Sequence, residues 1–296
     1  MIAINLAELS AADAYCRKLV QHYENFTVAS RLTPRRLRRD LTRVYAFCRT
    51  TDDIGDETGD RALAIDRLER WKWELQGLFE GALPTHPVLI ALAPTLRVHN
   101  LEAGPFLDLI EANVRDQWVD SYDDWPALLQ YCRLSAAPVG RIVLQLFGVD
   151  DLRAKLLSDD VCIGLQLANF AQDVRDDAAR GRTYLLQTDL RRLGSDGAVC
   201  AMCDRARSLL SSGRWLEGLV AGRLRLQLTL YRLGGEAILD AISAAEFQTS
   251  EVRPAVRRRS RVGLLLRAVG TSFLRGHPQP VGGTTEETEV EAAHHG

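Results

Sequence analysis

The chain has 296 residues, of which 46% are hydrophobic and 26% charged, and its net charge is −2. That balance describes an ordinary soluble globular protein with enough chain to bury a substantial core. A near-neutral charge offers no electrostatic footprint for nucleic acid, and no apolar run reaches the roughly 18 residues of a membrane span. The basic residues are arginine except for Lys18, Lys72 and Lys155. The first residues, Met-Ile-Ala-Ile-Asn-Leu-Ala-Glu, lack a basic region followed by a long apolar core, so no signal peptide is expected. The six cysteines fall inside helix-like patterns, where buried free thiols are common. A reducing, cytoplasmic compartment is therefore expected. Cys200 and Cys203 have metal-ligand spacing but no second Cys/His pair, which makes them packing residues.

Taken in chain order, the 3.6-residue period of apolar positions predicts helices at 10–25, 34–57, 60–80, 86–98, 103–120, 124–147, 151–179, 194–212, 214–233 and 235–246. Pro34 and Pro105 sit near helix starts, Gly81-Ala-Leu-Pro84 separates two segments and Gly148 closes another. No run alternates in the manner of a strand, so the expected class is all-α. Residues 253–275 combine seven arginines with Val262, Leu264, Leu265, Leu266, Val269, Phe273 and Leu274. Such a segment can lie on an anionic membrane surface or close the core as a last helix with a basic face. From Gly276 onward Pro, Gly, Thr and Glu dominate. The expected organisation is one all-α domain over 1–275 and a disordered acidic tail over 276–296.

Two aspartate clusters carry the chemistry. Asp52-Asp53-Ile54-Gly55-Asp56 and Asp173-Val174-Arg175-Asp176-Asp177 share the spacing Asp-x-x-x-Asp, and both lie in predicted helices. Residues four apart share a helix face, so Asp52 with Asp56, and Asp173 with Asp177, each aim two carboxylates at one point. Mg²⁺ takes oxygen ligands, usually a few carboxylates with waters and substrate phosphate oxygens, and a diphosphate leaves readily once cations neutralise it. The second cluster extends backward through Asn169 and Gln166, a polar stripe that is costly on an otherwise apolar helix unless it has partners. A solvated helix end explains one Asp-Asp pair but not two matched ones.

Together these motifs resemble the squalene/phytoene synthase family of head-to-head prenyl transferases, over about residues 15–250. The carrying residues are Tyr45-Ala-Phe-Cys-Arg49-Thr-Thr-Asp52-Asp53-Ile-Gly-Asp56-Glu57 and Gly164-Leu-Gln166-Leu-Ala-Asn169-Phe-Ala-Gln172-Asp173-Val-Arg-Asp176-Asp177, then Arg180-Gly-Arg182-Thr-Tyr184-Leu185. The resemblance implies an isoprenoid-synthase-type helical bundle around a central cavity, with Mg²⁺ held by the aspartates of both motifs. Three further stretches resemble the branch that makes hydroxysqualene in bacterial hopanoid biosynthesis. They are Glu24-Asn25-Phe26-Thr-Val-Ala-Ser30, Ser135-Ala-Ala-Pro138-Val-Gly140-Arg141 and Phe170-Ala-Gln172-Asp173. Condensing relatives usually show Val-Ala-Gly-x-Val-Gly at the middle stretch and Arg-Asp where Gln172-Asp173 stands, so one diphosphate contact of theirs is replaced here.

What the resemblance implies for activity is ionisation of presqualene diphosphate, rearrangement of the cation and capture by water, without a nicotinamide cofactor. Asp52, Asp56, Asp173 and Asp177, assisted by Asn169, are the implied catalytic and metal residues. Arg49 and Arg182 are the expected diphosphate contacts, because a guanidinium forks onto phosphate oxygens. Phe26, Tyr45 and Tyr131 match positions lining the family's cavity, where aromatic faces suit a carbocation; each is equally consistent with plain core packing. Gln166 completes the substrate-facing stripe, and Asn25 and Gln172 are candidates to orient water through a side-chain amide. The implied partners are a prenyl diphosphate substrate, a peripheral contact with the inner membrane and the other hopanoid-pathway enzymes. A condensing synthase acting on two farnesyl diphosphates is the alternative. A non-catalytic relative would lose the carboxylates, and all four are present.

Overall fold

A computed structural model of the chain describes residues 5–21, 33–56 and 59–254. The architecture is all-α, as the periodicity predicts; among the described residues the only β-type pairing is an isolated bridge between Ser121 and Thr183. The α-helices are α1 (Leu6–Val20), α2 (Arg38–Asp56), α3 (Arg61–Phe79), α4 (Pro87–Val98), α5 (Ala103–Arg115), α6 (Trp125–Ser135), α7 (Ala137–Leu146), α8 (Leu152–Gln172), α9 (Val174–Ala179), α10 (Gln187–Leu219) and α11 (Gly222–Ala244). A 3-10 turn, Arg35–Leu37, leads into α2. The acidic tail and nearly all of the basic stretch lie outside the described residues, as do Asn25 and Phe26.

Helix starts follow the capping chemistry of the sequence. Asp60 accepts from the backbone N–H groups of Ala62 and Leu63 ahead of α3, Asp124 from Ala127 ahead of α6, and Asp151 from Ala154 ahead of α8. His86 uses Nδ1 to cap α4, whose first residue is Pro87.

The breaks differ from the predicted ones in three places. The expected helix 124–147 is two, because Pro138 cannot supply an N–H to an interior turn and instead sits in the first turn of α7. The expected helix 151–179 breaks at Asp173, which has φ −101 and ψ 17. The expected boundaries near Gly213 and Gly234 are absent. Helix α10 runs past Gly213 and α11 past Gly234, with the true break at Val220 and Ala221 in extended conformation. Gly194, with φ 72, kinks α10 where the sequence predicted a helix start.

Among the described residues, two buried clusters make the core. One joins α1 to α5 with the buried face of α7 around Phe47, Leu68, Trp71, Leu89 and Phe106. The other gathers α6 to α11 around Leu128, Leu167, Val199, Leu210 and Leu239. Interior ion pairs tie helices within each half. Arg43 donates through Nε and Nη2 to Asp13 at 2.8 and 3.0 Å, joining α2 to α1. Arg232 pairs with Glu217 at 2.7 Å, joining α11 to α10. Helix α8 is the centre of the second half, in contact with α7, α10 and α11. At its crossing with α10 a Cβ on Gly164 would stand 3.0 Å from Leu210 Cγ and 3.1 Å from Leu210 N. Replacing Gly164 with Ala is therefore expected to destabilise the protein by about 1–3 kcal/mol through overpacking, measurable as a lowered midpoint in urea.

Candidate active site

The two acidic motifs end helices that belong to different halves of the core. Asp52 and Asp56 occupy the last turns of α2; Asp173 and Asp177 flank the break after α8. That break preserves their one-turn spacing, because Asp177 N–H still donates to Asp173 O at 2.8 Å. After α9 the chain turns back through Gly181, with φ 76, and Arg182 N–H donates to Asp177 O at 3.0 Å. A positive φ of that size is comfortable only for glycine. The turn directs the Arg182 side chain across to the first motif, where its Nη2 meets Asp56 Oδ1 at 3.4 Å. Arg182 also acts electrostatically on Asp116 and Asp177. One arginine thus links both motifs. Backbone bonds from Thr183 N to Asp120 O and from Gln187 N to Tyr122 O strap this return segment to the loop after α5.

Helix α5 supplies a third side of the site that sequence patterning did not single out. Asn113 Nδ2 donates to Asp52 Oδ1 at 3.3 Å, and Gln117 Nε2 donates to the carbonyl of Gly55 at 3.1 Å. A Cβ on Gly55 would lie 2.7 Å from Asn113 Oδ1, so a larger residue there would displace the Asn113 amide from Asp52. Asp116, one turn on, accepts from the Tyr131 hydroxyl at 2.9 Å. Its other oxygen is buried and makes no hydrogen bond among the described residues. The signal for this side was the spacing of Asn113, Asp116 and Gln117 on one helix face.

Behind the carboxylates lies an aromatic wall. Phe170 and Tyr184 stack with centroids 3.8 Å apart, Tyr131 lies 5.8 Å from Tyr184, and Tyr122 lies 5.3 Å from Tyr131. Tyr131, expected on the cavity wall, is part of this buried set; Tyr184, Phe170 and Tyr122 join it. Tyr45 is half-buried and packs against the other core cluster.

The remaining expected residues occupy varied positions. Asn169 is exposed and Gln166 half-buried on α8. Arg49 pairs with Asp53 one turn along α2. Gln172 is only 6% exposed, and its amide donates to Pro254 O at 2.6 Å. Arg253 bonds Asp173 through Nε and Nη2.

Burial raises the carboxyl of Asp116 to about 6, opposed by Arg182 and by the Tyr131 hydroxyl. Burial, then the charge of Asp173, raises Asp177 to about 6. Asp52 is also pushed up to about 6, first by the protein walls around it. Because Asp52 is still reached by water, its shift carries less energetic weight than the other two.

The donor set fits a hard cation: carboxylates and amides, with acids whose charge is held at a cost that a cation would relieve. Among the described residues no group of three or more His, Cys, Asp or Glu is placed to hold an ion alone. A divalent ion here would complete its shell from diphosphate oxygens and water, the usual mode for Mg²⁺.

The sequence profile of squalene/phytoene synthases matches residues 19–261. The chain belongs to the squalene/phytoene synthase family. It is 32% identical over 190 residues to the presqualene diphosphate synthase of Rhodopseudomonas palustris, covering 60% of this chain and 67% of that one. It is 33% identical over 261 residues to the phytoene synthase of Mycobacterium tuberculosis, covering 78% and 85%. With the phytoene synthase 2 of Solanum lycopersicum the match covers 64% of this chain and 63% of the relative, so the chain spans about two thirds of the length of these first curated relatives or slightly less. A crystal structure of the squalene synthase HpnC from Alicyclobacillus acidocaldarius superimposes with a TM-score of 0.76 at 45% identity, covering 82% of this chain and 97% of that one. A dehydrosqualene synthase shares the fold at 22% identity and a TM-score of 0.78. The chain is therefore an enzyme of this family, with the helical fold expected of it.

An acid whose folded pKa lies above its unfolded value favours folding when protonated. The Asp116 contribution is thus present below about pH 4 and lost as pH rises through about 6. Replacing Asp116 with Asn removes this titration. The stability of the variant relative to the parent should rise by about 1–3 kcal/mol between pH 4 and pH 7. Urea unfolding at both pH values checks it, and a constant difference would mean that the carboxylate is not held at a cost.

Proposed function

We propose that the chain converts presqualene diphosphate to hydroxysqualene, as a step of squalene and hopanoid biosynthesis. Membership of the family supports head-to-head prenyl diphosphate chemistry in general. The observation that carries the narrower reading is the 45% identity to the HpnC structure across nearly its whole length, joined to Gln172 and Pro138 at the positions that set that branch apart.

In this reading the diphosphate enters between the motifs. Asp52 and Asp56 on one side and Asp173 and Asp177 on the other, with Asn169, would hold Mg²⁺. Mg²⁺ held there would supply charge neutralisation to the leaving diphosphate. Arg182, held between the motifs, takes a phosphate oxygen through its fork, and Asn113 keeps the Asp52 carboxylate oriented. Departure of the diphosphate leaves a cyclopropylcarbinyl cation on the substrate. Tyr131, Phe170 and Tyr184 present ring faces that stabilise positive charge without donating a nucleophile; burial raises the tyrosine hydroxyls, so they stay neutral. Water closes the reaction: its oxygen bonds the rearranged cation, and one of its protons is released.

No described helix is long and apolar enough to cross a membrane. The basic, apolar segment after residue 253 suits docking on an anionic lipid surface, convenient for a C30 product. Deleting residues 257–275 is expected to weaken co-sedimentation with anionic liposomes, and unchanged sedimentation would remove this part of the reading.

The second reading, condensation of two farnesyl diphosphates, is favoured by the match to the Rhodopseudomonas enzyme. Incubation with Mg²⁺ and presqualene diphosphate, without NADPH, should yield a C30 alcohol by mass analysis. A C30 diphosphate or hydrocarbon from farnesyl diphosphate alone would establish the second reading instead. Asp173→Asn should slow turnover by about a hundredfold or more in either case, because metal charge stabilisation is worth several kcal/mol.

A further inference from the structure

We propose that Arg253 is a ligand of the substrate diphosphate, brought to the second acidic motif by a reversal of the chain after α11 and positioned there by Gln172. The inference rests on the proposed use of that motif in diphosphate binding.

The reversal is built into the end of α11. Glu246 and Phe247 both adopt left-handed conformations, with φ 53 and 64, and Phe247 N–H donates back to Ile242 O at 3.1 Å. For residues other than glycine such conformations cost about 1 kcal/mol or more each, so the turn is held in place by the anchored segment beyond it. Thr249 is fully buried. Residues 251–254 then lie along the second motif, where Arg175 Nη1 donates to Glu251 O at 3.3 Å and Gln172 Nε2 donates to Pro254 O at 2.6 Å.

This placement sets the Arg253 guanidinium on Asp173. Its Nε and Nη2 address the two carboxylate oxygens, the latter at 3.3 Å, and Nη2 also reaches Gln172 Oε1 at 3.4 Å. Asp176 Oδ2 is 3.9 Å from Nε. Gln172 therefore holds the segment through its amide nitrogen and the guanidinium through its amide oxygen.

A stabilising role does not account for the arginine. The side chains of Arg253 and Asp173 are 46% and 28% exposed, and ion pairs so exposed contribute about 0–1 kcal/mol. The buried anchors of the segment are Gln172 and Thr249. A guanidinium fork fits phosphate as well as carboxylate. With Asp173 engaged by a divalent cation, the Arg253 guanidinium, which now occupies both of its carboxylate oxygens, would be released at the motif to take phosphate oxygens instead. Arg182 approaches from the first motif and Arg253 from the second, so the leaving group is gripped from both sides. Before substrate arrives, Arg253 serves Asp173 as an internal counter-ion.

Two affinities of opposite response test this on the full chain. The probes are inorganic diphosphate with Mg²⁺, followed by calorimetry, and Mn²⁺ alone, followed by electron paramagnetic resonance. Arg253→Gln should weaken diphosphate binding by about tenfold or more, the usual worth of a charge-assisted hydrogen bond, and leave Mn²⁺ binding equal or tighter. Arg253→Lys should recover part of the loss, and Gln172→Leu should give a smaller loss with Arg253 intact. Diphosphate affinity in Arg253→Gln within about twofold of the parent, or tighter, would overturn the proposal, the tighter result marking a mere plug. Loss of Mn²⁺ and diphosphate binding together would also overturn it, as damage to the motif. A parent protein that binds no diphosphate would instead sink the proposed function itself.

Discussion

Repulsion among carboxylates is the constraint around which the rest of this structure is arranged. Asp52, Asp56, Asp116, Asp173 and Asp177 come from three separate segments, and Arg182 acts on an acid of each. Burial and mutual repulsion lift three of them toward neutrality. A helical bundle has no reason to gather like charges unless something outside the chain is to be gathered with them. Arginines placed by turns offset part of that cost: Arg182 by the glycine turn after α9, Arg253 by the left-handed turn after α11. Neither arginine lies on the helices that carry the acids it faces, which leaves each free to change partners without unravelling a helix.

The fold also separates the charged groups from the aromatic wall. The Asp116–Tyr131 hydrogen bond is the seam between them: the carboxylate faces Arg182, while the Tyr131 ring belongs to the wall with Phe170 and Tyr184. In the proposed reaction, polar groups for the phosphate and ring faces for the carbon skeleton would thus stand side by side. This continuity is possible because Phe170 sits three residues before Asp173 on α8, and Tyr184 two residues after Arg182, so each short stretch serves both purposes.

Much of this was legible in the sequence for a physical reason. Amphipathic period and aspartate spacing are local properties, and they gave the helical class, both motifs and the outer limits of most helices. What escaped depends on contacts distant in sequence. Asn113 on α5 and Asp116 just past its end read as ordinary polar positions until Gly55 and Tyr131 are brought against them. Gln172 reads as a water-facing amide, whereas its amide is taken up by residues 253 and 254, some eighty positions later. Arg253 reads as the first member of a basic stretch and turns out to face the motif. The misplaced helix ends share the same cause: Gly213 lies where a Cβ would stand 2.9 Å from Val161, so that glycine serves a crossing of helices, not a break.

The left-handed pair Glu246-Phe247 has a consequence for length. Six residues separate Phe247 from Pro254, and both ends of that span are fixed, one by the helix-closing bond to Ile242 and the other by the amide of Gln172. The connector is coiled by turn bonds, Thr249 N–H to Phe247 O and Glu251 N–H to Gln248 O among them, so adding or removing one residue here would disturb the seating of Arg253 against Asp173. The short connector acts as a ruler, and its length is as much a part of the site as the side chains that it delivers.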